Sequence, residues 1–409
     1  MATIIAPDLK DPSLYEAGVP WDAFEELRRS DPVHWNPERD GAGFWAVMRH
    51  ADIVTVSRQP LIFSSAHENG GHRIFNENEV GLTGAGESAI GIPFISRDPP
   101  IHTRYRKFVM PALSPVRLGD IEARIRARVE ALVDAIPLNE TIDLVPALSA
   151  PLPLMTLAEL LGVSIDIWPK LYDWTNAFVG EDDPEFRQSP EAMGATLAEF
   201  FAFSQELFDA RRADPTDDIA SLLANAEIDG VPVPFRDFVG NLILVLVGGN
   251  ETTRNSLSHS VAAFSQNPDQ WDMLRADRAL LKTGAVEMVR HASPVMHMRR
   301  TATEDTMLGG QAIAKGDKVV LWYISGNRDA AVYDQPDRFD VARKGVQHVG
   351  FGAGQHVCVG SRLAEMQLRV AFDILTDHVT RFEVQAPPRR FRSNFINGLK
   401  NLDVTLRAG

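Results

Sequence analysis

The sequence predicts a mainly α-helical fold with a few small β-sheets. Apolar residues recur every three or four positions over long stretches, whereas alternating strand patterns are short and few. The 409 residues, 44% hydrophobic and 23% charged, are enough for a large core of ordinary globular composition. No repeat, low-complexity tract or Gly/Ser linker interrupts the chain, so we expect a single domain over residues 1–409.

Five segments carry the helical pattern most clearly. Each places apolar residues on one face among charged residues, and the third begins with a proline, which is favoured at helix starts. These predicted helices cover residues 118–135, 193–210, 234–266, 280–291 and 361–378. The third is long enough to cross the whole protein.

Strand signals are fewer. Short runs rich in β-branched or aromatic residues predict strands over residues 43–48, 53–56, 319–322 and 403–406. The segment 63–93 is rich in Gly, Asn, Glu and Ser, which is typical of a loop. Loops of this length in compact domains are often lids over binding sites.

Charge and hydropathy narrow the class of protein. The formal net charge of −14 argues against a nucleic-acid binder, which needs a basic surface. The first residues carry no apolar stretch of the signal-peptide kind, and no uninterrupted apolar run reaches the roughly 18 residues of a membrane span. We therefore expect a cytoplasmic protein without a membrane anchor.

The one cysteine of the chain, Cys358, lies in the glycine-rich run FGAGQHVCVG at residues 351–360. A lone thiol cannot form an internal disulfide or a Cys-rich zinc site, but it can give one thiolate to one metal. Backbone N–H groups in a rigid glycine loop would keep that thiolate ionised. A buried structural cysteine is the alternative, although it leaves the glycines and His356 unexplained.

The longest predicted helix contains the run GGNETT at residues 248–253. Two adjacent glycines weaken a helix interior, and a following threonine can take up a backbone hydrogen bond with its hydroxyl. One interpretation is a local kink that opens a groove towards a ligand. The other is close helix packing at the glycines, with Glu251 and Thr252 in solvent.

Three further runs place charges at informative spacings. Glu287 and Arg290 stand three apart on a helix, and Arg338 downstream is a candidate third member of an ion network, although surface pairs of this kind are common. His102 and Arg106 stand four apart on a helix, so both can face one anion unless they form a solvated basic face. In the run MRRTA at residues 298–302, strand alternation predicts one arginine inward and one outward.

Together these runs resemble the cytochrome P450 family of haem-thiolate monooxygenases, over nearly the whole chain. The resemblance implies a single triangular fold with haem b between the long central helix and the cysteine loop. Cys358 then matches the axial thiolate ligand of the iron. The positions that match the family's haem-contacting residues are His102, Arg106, Arg300, His356, Phe351 and Gly352, with Arg299 as the alternative to Arg300. Glu287, Arg290 and Arg338 match its structural ion network.

The resemblance also implies a reaction. Glu251 and Thr252 match an acid–alcohol pair that manages protons while dioxygen is split, and one oxygen atom then enters a C–H bond. Because both members are present, an oxygen-dependent monooxygenase is favoured over a peroxide-driven peroxygenase. A non-catalytic haem sensor is the alternative from another functional class.

The implied partners are electron donors and an apolar substrate. The chain has no flavin or ferredoxin domain, so an iron–sulfur ferredoxin with its NAD(P)H-dependent reductase is expected, docking on a basic patch of Arg104, Lys107, Arg362 and Arg369. The candidate substrate pocket is apolar and comprises Phe94, Leu244, Val247, Gly248, Val295, Met298 and Phe395.

The substrate preference rests on finer resemblance. The runs that contain GGNETTRNS and LWYISGNRD are similar to those of bacterial alkane and fatty-acid ω-hydroxylases. They favour terminal hydroxylation of an aliphatic chain. Hydroxylation of a terpenoid or a steroid side chain is the alternative.

Overall fold

The computed structural model describes residues 6–39, 41–74 and 90–409. Residues 75–89, the middle of the predicted lid loop over 63–93, lie outside the described residues. None of the helices in the described part of the chain combines the length and apolar character needed to cross a membrane.

Helices make up most of the described structure, and all five predicted helices are confirmed. In chain order the helices are α1 (Trp21–Ser30), α2 (His50–Ser57), α3 (Ile101–Val109), α4 (Pro115–Asp134), α5 (Pro151–Leu160), α6 (Trp168–Val179), α7 (Pro190–Ala213), α8 (Ile219–Ala224), α9 (Phe235–Gln266), α10 (Pro268–Ala276), α11 (Leu281–Ala292), α12 (Tyr323–Gly326) and α13 (Ser361–His378).

The strands are short. They are β1 (Val33–Asn36), β2 (Phe44–Val47), β3 (Phe63–Ser64), β4 (Thr141–Asp143), β5 (Glu227–Ile228), β6 (Val231–Pro232), β7 (Met298–Ala302), β8 (Thr306–Leu308), β9 (Gln311–Ile313), β10 (Lys318–Leu321), β11 (Val379–Val384) and β12 (Asp403–Ala408). Their largest sheet has the order β1-β2-β10-β7-β3, in which β10 runs parallel to β2 and antiparallel to β7.

Helix α9 is the centre of the largest core. It packs against α5, α6, α11 and α13, and residues such as Leu242, Leu246, Leu257 and Val261 are fully buried along it. It ends at Gln266 because the next residue, Asn267, precedes a proline and leaves the helical region. The prediction of one long helix over residues 234–266 is confirmed.

Smaller cores lie on the two faces of the five-stranded sheet. Ala46 and Val320 pack on the side of α1, whereas Val47 and Leu321 pack on the side of α2. The strand predicted over residues 53–56 is wrong, because this segment belongs to α2. Short runs of β-branched residues do not distinguish the two structures, and burial of Ile53, Val56 and Ser57 follows the helical spacing.

A buried ion pair joins α11 to the segment that leads to the cysteine loop. The Arg290 guanidinium donates to both oxygens of Glu287, with Nε–Oε2 and Nη2–Oε1 distances of 2.6 and 2.7 Å, and both side chains are fully buried. Arg290 Nη1 also donates to the carbonyl oxygens of Asn327 and Pro336, each at 2.7 Å. The Asn327 side chain in turn accepts from the N–H of Val349 at 2.8 Å, next to the cysteine loop.

The third member of this network differs from the prediction. Arg338 is exposed and contributes its carbonyl oxygen, which accepts from Arg290 and Arg343. The second guanidinium near Glu287 is that of Arg343, with an Nε–Oε1 distance of 3.3 Å. Spacing along a loop does not fix which side chain turns inward, so the sequence located the segment but not the residue.

We expect Arg343→Ala to lower the free energy of unfolding by about 1–3 kcal/mol, because the buried Glu287 loses a charged donor. Arg338→Ala is the matched control and should change it by less than about 0.5 kcal/mol, since its side chain is exposed. Urea unfolding of the two holoproteins, followed by circular dichroism, measures both values. Equal losses in the two variants would contradict this assignment.

Candidate active site

A cavity lies between α9 and the cysteine loop, residues 351–360. Most of the residues selected from the sequence line it. They are Phe94, His102, Arg106, Leu244, Gly248, Thr252, Val295, Met298, Arg300, Phe351, Gly352, His356 and Cys358. Residues more than 250 positions apart in the chain are thus brought to one site.

The cysteine loop is held in one shape by its glycines and backbone bonds. Gly354 has φ +67°, and a Cβ there would lie 2.1 Å from the carbonyl oxygen of Ser57 at the end of α2, so only glycine fits. The Cys358 N–H donates to the Phe351 carbonyl at 2.8 Å, which closes the loop. The thiol is thereby presented to the cavity.

The surroundings of the Cys358 thiol act in two directions on its pKa. Burial raises the pKa, while a hydrogen bond from the Gly360 N–H and the charge of Arg106 lower it. The expectation that a backbone N–H points at the sulfur is therefore met by Gly360. Such a donor stabilises a thiolate that binds a metal.

Two histidines and two arginines form the cationic edge of the cavity. The rings of His102 and His356 lie 4.0 Å apart between centroids, beside Arg106 and Arg300. Burial and the two neighbouring arginines lower the pKa of His102 to about 4, and burial likewise lowers the pKa of His356. His102 Nδ1 and His356 Nε2 are buried without a hydrogen-bond partner among the described residues. This edge of the cavity therefore suits an anionic group.

Arg299 and Arg300 lie on opposite faces of β7. Arg300 lines the cavity, whereas the Arg299 guanidinium packs against Gly70 and lies 3.4 Å from the Asn69 carbonyl. Alternation along the strand predicted that one of the two arginines points outward. Arg299 does lie on the face away from the cavity, but it is only 8% accessible. The reason is the segment before residue 75, whose His72 carbonyl accepts from the Arg299 N–H at 2.7 Å and covers that face.

The two glycines of α9 have different surroundings. A Cβ on Gly249 would lie 2.7 Å from Leu157 of α5, so this glycine permits close helix packing. A Cβ on Gly248 would meet no atom within 4 Å, because this residue faces the cavity. The Thr252 hydroxyl donates to the Gly248 carbonyl at 2.6 Å, as expected for a threonine that takes up a backbone bond. The helix itself is continuous here.

Glu251 is fully buried and lies outside the cavity lining. Its carboxylate accepts from Arg254 Nη2 at 2.5 Å and from Asn250 Nδ2 at 2.9 Å, and Arg254 also contacts Tyr172 of α6. Burial raises the pKa of Glu251, and the Arg254 charge opposes that rise. Adjacent helix residues point about 100° apart, so Glu251 and Thr252 cannot share one face.

Two predicted pocket residues fall outside the cavity lining. Val247 is about 140° around α9 from Thr252 and packs in the main core. Phe395 is buried under the Arg73 guanidinium, 4.3 Å from its ring centroid, and also contacts His297. Helical spacing would have excluded Val247, whereas Phe395 lies in a loop that spacing does not locate.

The cavity also has walls that the sequence analysis missed. Val109 follows Arg106 by three residues on α3, and Val245 precedes Thr252 by seven on α9, so helical spacing from the chosen residues could have found both. Ile95 adjoins the chosen Phe94. Leu157 and Tyr323 come from other elements, and no local pattern marks them.

Comparisons with known proteins agree with this geometry. The family model Cytochrome P450 matches residues 155–402. Linalool 8-monooxygenase of Pseudomonas putida is 72% identical over 400 residues, 98% of each chain. The methyl-branched lipid omega-hydroxylase of Mycobacterium tuberculosis is 37% identical over 94% of this chain and 90% of that protein. A solved structure of a Mycobacterium marinum cytochrome P450 in complex with pseudoionone matches with a TM-score of 0.86, at 34% identity over 94% of both chains.

The matches confirm the family resemblance and the mainly α-helical fold with small sheets. They also confirm the cofactor expected from the sequence, a haem whose iron is ligated by a cysteine thiolate. The enzyme is a monooxygenase that acts on a hydrophobic substrate with dioxygen. This chain belongs to the cytochrome P450 family.

Proposed function

We propose that this monooxygenase hydroxylates the methyl-branched end of an acyclic terpenoid, a linalool-type alcohol. The observation that carries the proposal is the cavity lining, in which Phe94, Leu244, Val295 and Met298 supply apolar wall in the same cavity as Thr252. Such a wall suits a hydrocarbon chain and offers no charged group to clamp a carboxylate there.

The relatives support this substrate class. Linalool is an acyclic terpene alcohol whose chain ends in a carbon with two methyl groups, and carbon 8 is one of those methyls. One relative is named for linalool and another for a methyl-branched lipid, and a matching structure holds pseudoionone, which has the same dimethyl end. These names favour hydroxylation at the end of a terpenoid, the alternative given by the sequence, over hydroxylation of an unbranched aliphatic chain.

The cavity residues fit a haem. Cys358 is the one cysteine of the chain, so it is our candidate for the thiolate ligand. Haem carries two carboxylates, and the cationic edge supplies Arg106, Arg300 and the unpartnered nitrogens of His102 and His356. The described lining residues include no Asp or Glu that would repel those carboxylates.

A haem held by these residues would supply the chemistry of dioxygen activation and oxygen transfer to a C–H bond. The protein's own residues position the substrate and manage protons. The Thr252 hydroxyl hydrogen is directed at the Gly248 carbonyl, which leaves the oxygen lone pairs open to the cavity. Thr252 is thereby oriented to exchange a proton at Oγ1. We assign to Glu251, buried one residue earlier, the resupply of protons from its side of α9.

A spectral titration tests the proposed substrate. The purified ferric protein should shift towards high spin with linalool, because an apolar ligand displaces water from the cavity. Product analysis should then find the hydroxyl on a terminal methyl. Tight binding of unbranched alkanes or fatty acids without a response to linalool would contradict the proposal.

We expect Thr252→Ala to bind substrate but to divert electrons into hydrogen peroxide, because the hydroxyl that handles the proton is lost. Product formed per NAD(P)H consumed should fall at least about tenfold. Thr252→Ser keeps the hydroxyl and is the matched control, which should retain most of the wild-type yield. An unchanged yield in the alanine variant would refute this role.

We further propose an acidic iron–sulfur ferredoxin as electron donor, docking on the cysteine face, which we define as Lys107, Met110, Val357 and Arg362. All four side chains are exposed. Val357 belongs to the cysteine loop and Arg362 follows it by two residues, whereas Lys107 and Met110 are the chain neighbours of Arg106 and Val109, which line the same cavity as the loop. Two members of the basic patch expected from the sequence are less available. Arg104 is ion-paired with Asp229, and Arg369 is half-buried.

The cytoplasmic location and the single domain stay predictions.

Reversing charge on the cysteine face should slow electron delivery. Lys107→Glu and Arg362→Glu are each expected to lower the second-order rate constant with ferredoxin by about tenfold at low salt, and less at high salt. Lys315→Glu, in the turn between β9 and β10, makes the same charge change outside this face and is the control. A rate that ignores both ionic strength and these substitutions would exclude electrostatic docking here.

A further inference from the structure

The segment before α3, residues 90–97, lies directly on the first turns of α9, and we call it the docked segment. Gly91 has φ +79°, and a Cβ there would lie 2.2 Å from the Arg236 carbonyl oxygen. A Cβ on Gly240 would lie 2.9 Å from the Gly91 carbonyl oxygen. The two glycines therefore allow the backbones of the segment and the helix to touch.

Asp237, on the first turn of α9, holds both the docked segment and α3. Its carboxylate accepts one hydrogen bond from Arg97 Nη2 at 2.7 Å and another from the Tyr105 hydroxyl of α3. Its Oδ1 also accepts from the Ile92 N–H at 3.4 Å. Three donors outside α9 thus converge on one carboxylate.

Asn241, one turn further along α9, holds the middle of the docked segment. The residue is fully buried and lies outside the cavity lining. Its Oδ1 accepts from the Phe94 N–H at 2.8 Å, and its Nδ2 donates to the Asp237 carbonyl at 2.7 Å, so the orientation of the amide is fixed at both ends. Phe94 begins a 3₁₀ turn, and its N–H has no partner within that turn.

We propose that Asn241 is a positioning residue for the substrate: it anchors the Phe94 backbone on α9 and thereby fixes the Phe94 ring as a wall of the cavity. The inference rests on the function proposed above. Loss of the Asn241 oxygen would leave the buried Phe94 N–H without an acceptor, which is costly, so the segment would move to satisfy it. The ring would move with the backbone that carries it.

Asn241→Leu keeps nearly the same side-chain volume and removes the acceptor. We measure linalool binding to the haem-loaded proteins by spin-state titration. The dissociation constant should rise about tenfold in N241L, because the displaced ring no longer packs on the ligand. In the Phe94→Ala background the same substitution should change it by less than about twofold, since the ring through which Asn241 acts is absent.

Asn255→Leu is the matched control, because Asn255 makes the same two contacts elsewhere on α9. It is fully buried, its Nδ2 donates to the Glu251 carbonyl at 2.8 Å, and its Oδ1 accepts from the Leu399 N–H at 2.8 Å. Leu399 lies outside the cavity lining. Both variants lose the same kind of backbone anchor, but N255L should bind linalool as wild type does.

Three results would overturn the role of Asn241. They are a wild-type dissociation constant in N241L, an equal rise in N255L, and a rise in N241L that is as large without the Phe94 ring as with it. The last result would show that Asn241 acts on the ligand by another route.

Gly240→Ala covers the case in which N241L folds poorly. The new Cβ would push on the Gly91 carbonyl and lift the docked segment, while the Asn241 amide stays intact and helix propensity rises. The dissociation constant should again rise, and the rise should again depend on Phe94. Unchanged binding in G240A would contradict the proposed anchoring.

A second ligand separates this inference from the proposed substrate. If wild type gives no spin shift with linalool, the substrate class is wrong, and binding is then measured with phenylimidazole, whose ring nitrogen binds ferric haem iron. N241L should weaken phenylimidazole by about tenfold as well, and only while Phe94 is present. An unchanged constant would reject the positioning role whatever the substrate.

Discussion

The contact between Glu287 and Arg290 connects the parts of the chain that build the active site. Arg290 binds both oxygens of Glu287 and the carbonyls of Asn327 and Pro336, and Asn327 in turn binds Val349, two residues before the cysteine loop. A buried ion pair adds little net stability, since the loss of hydration offsets the attraction between the charges. Its value here is positional. Helix α11, which packs on α9, is tied to the loop that carries the thiol, so the two sides of the cavity keep a fixed separation.

Much of the fold could be read from the sequence because helices have a local signature. The five longest periodic segments all form helices, and Pro268 marks the end of α9. The strand predicted over residues 53–56 was wrong because this segment lacks such a local signature. Four β-branched and apolar residues carry no period of their own, and whether they form a strand or a helix depends on what packs against them. Contacts with distant segments determine that this segment is helical, and the sequence does not show those contacts.

The site was predictable where a motif fixes chemistry and spacing together. Cys358 is the one thiol, His102 and Arg106 share a helix face, and Thr252 is placed by the run around it. Glu251 shows the limit, because it belongs to the same motif but points into a buried pair with Arg254. Arg343 and Tyr323 show another limit. Each reaches its contacts through the path of a loop or a short helix, which residue spacing does not encode.

The cationic edge of the cavity has a consequence for how the protein is made. His102 and His356 each bury a nitrogen without a partner among the described residues, next to two arginines, and such groups weaken a folded chain. In the haem placement proposed above, the carboxylates of haem would satisfy them, and cofactor binding and folding would then be linked equilibria. Stability then rises with the logarithm of free haem concentration once that concentration exceeds the dissociation constant. With that placement, the amount of folded enzyme would depend on haem supply as well as on synthesis of the chain.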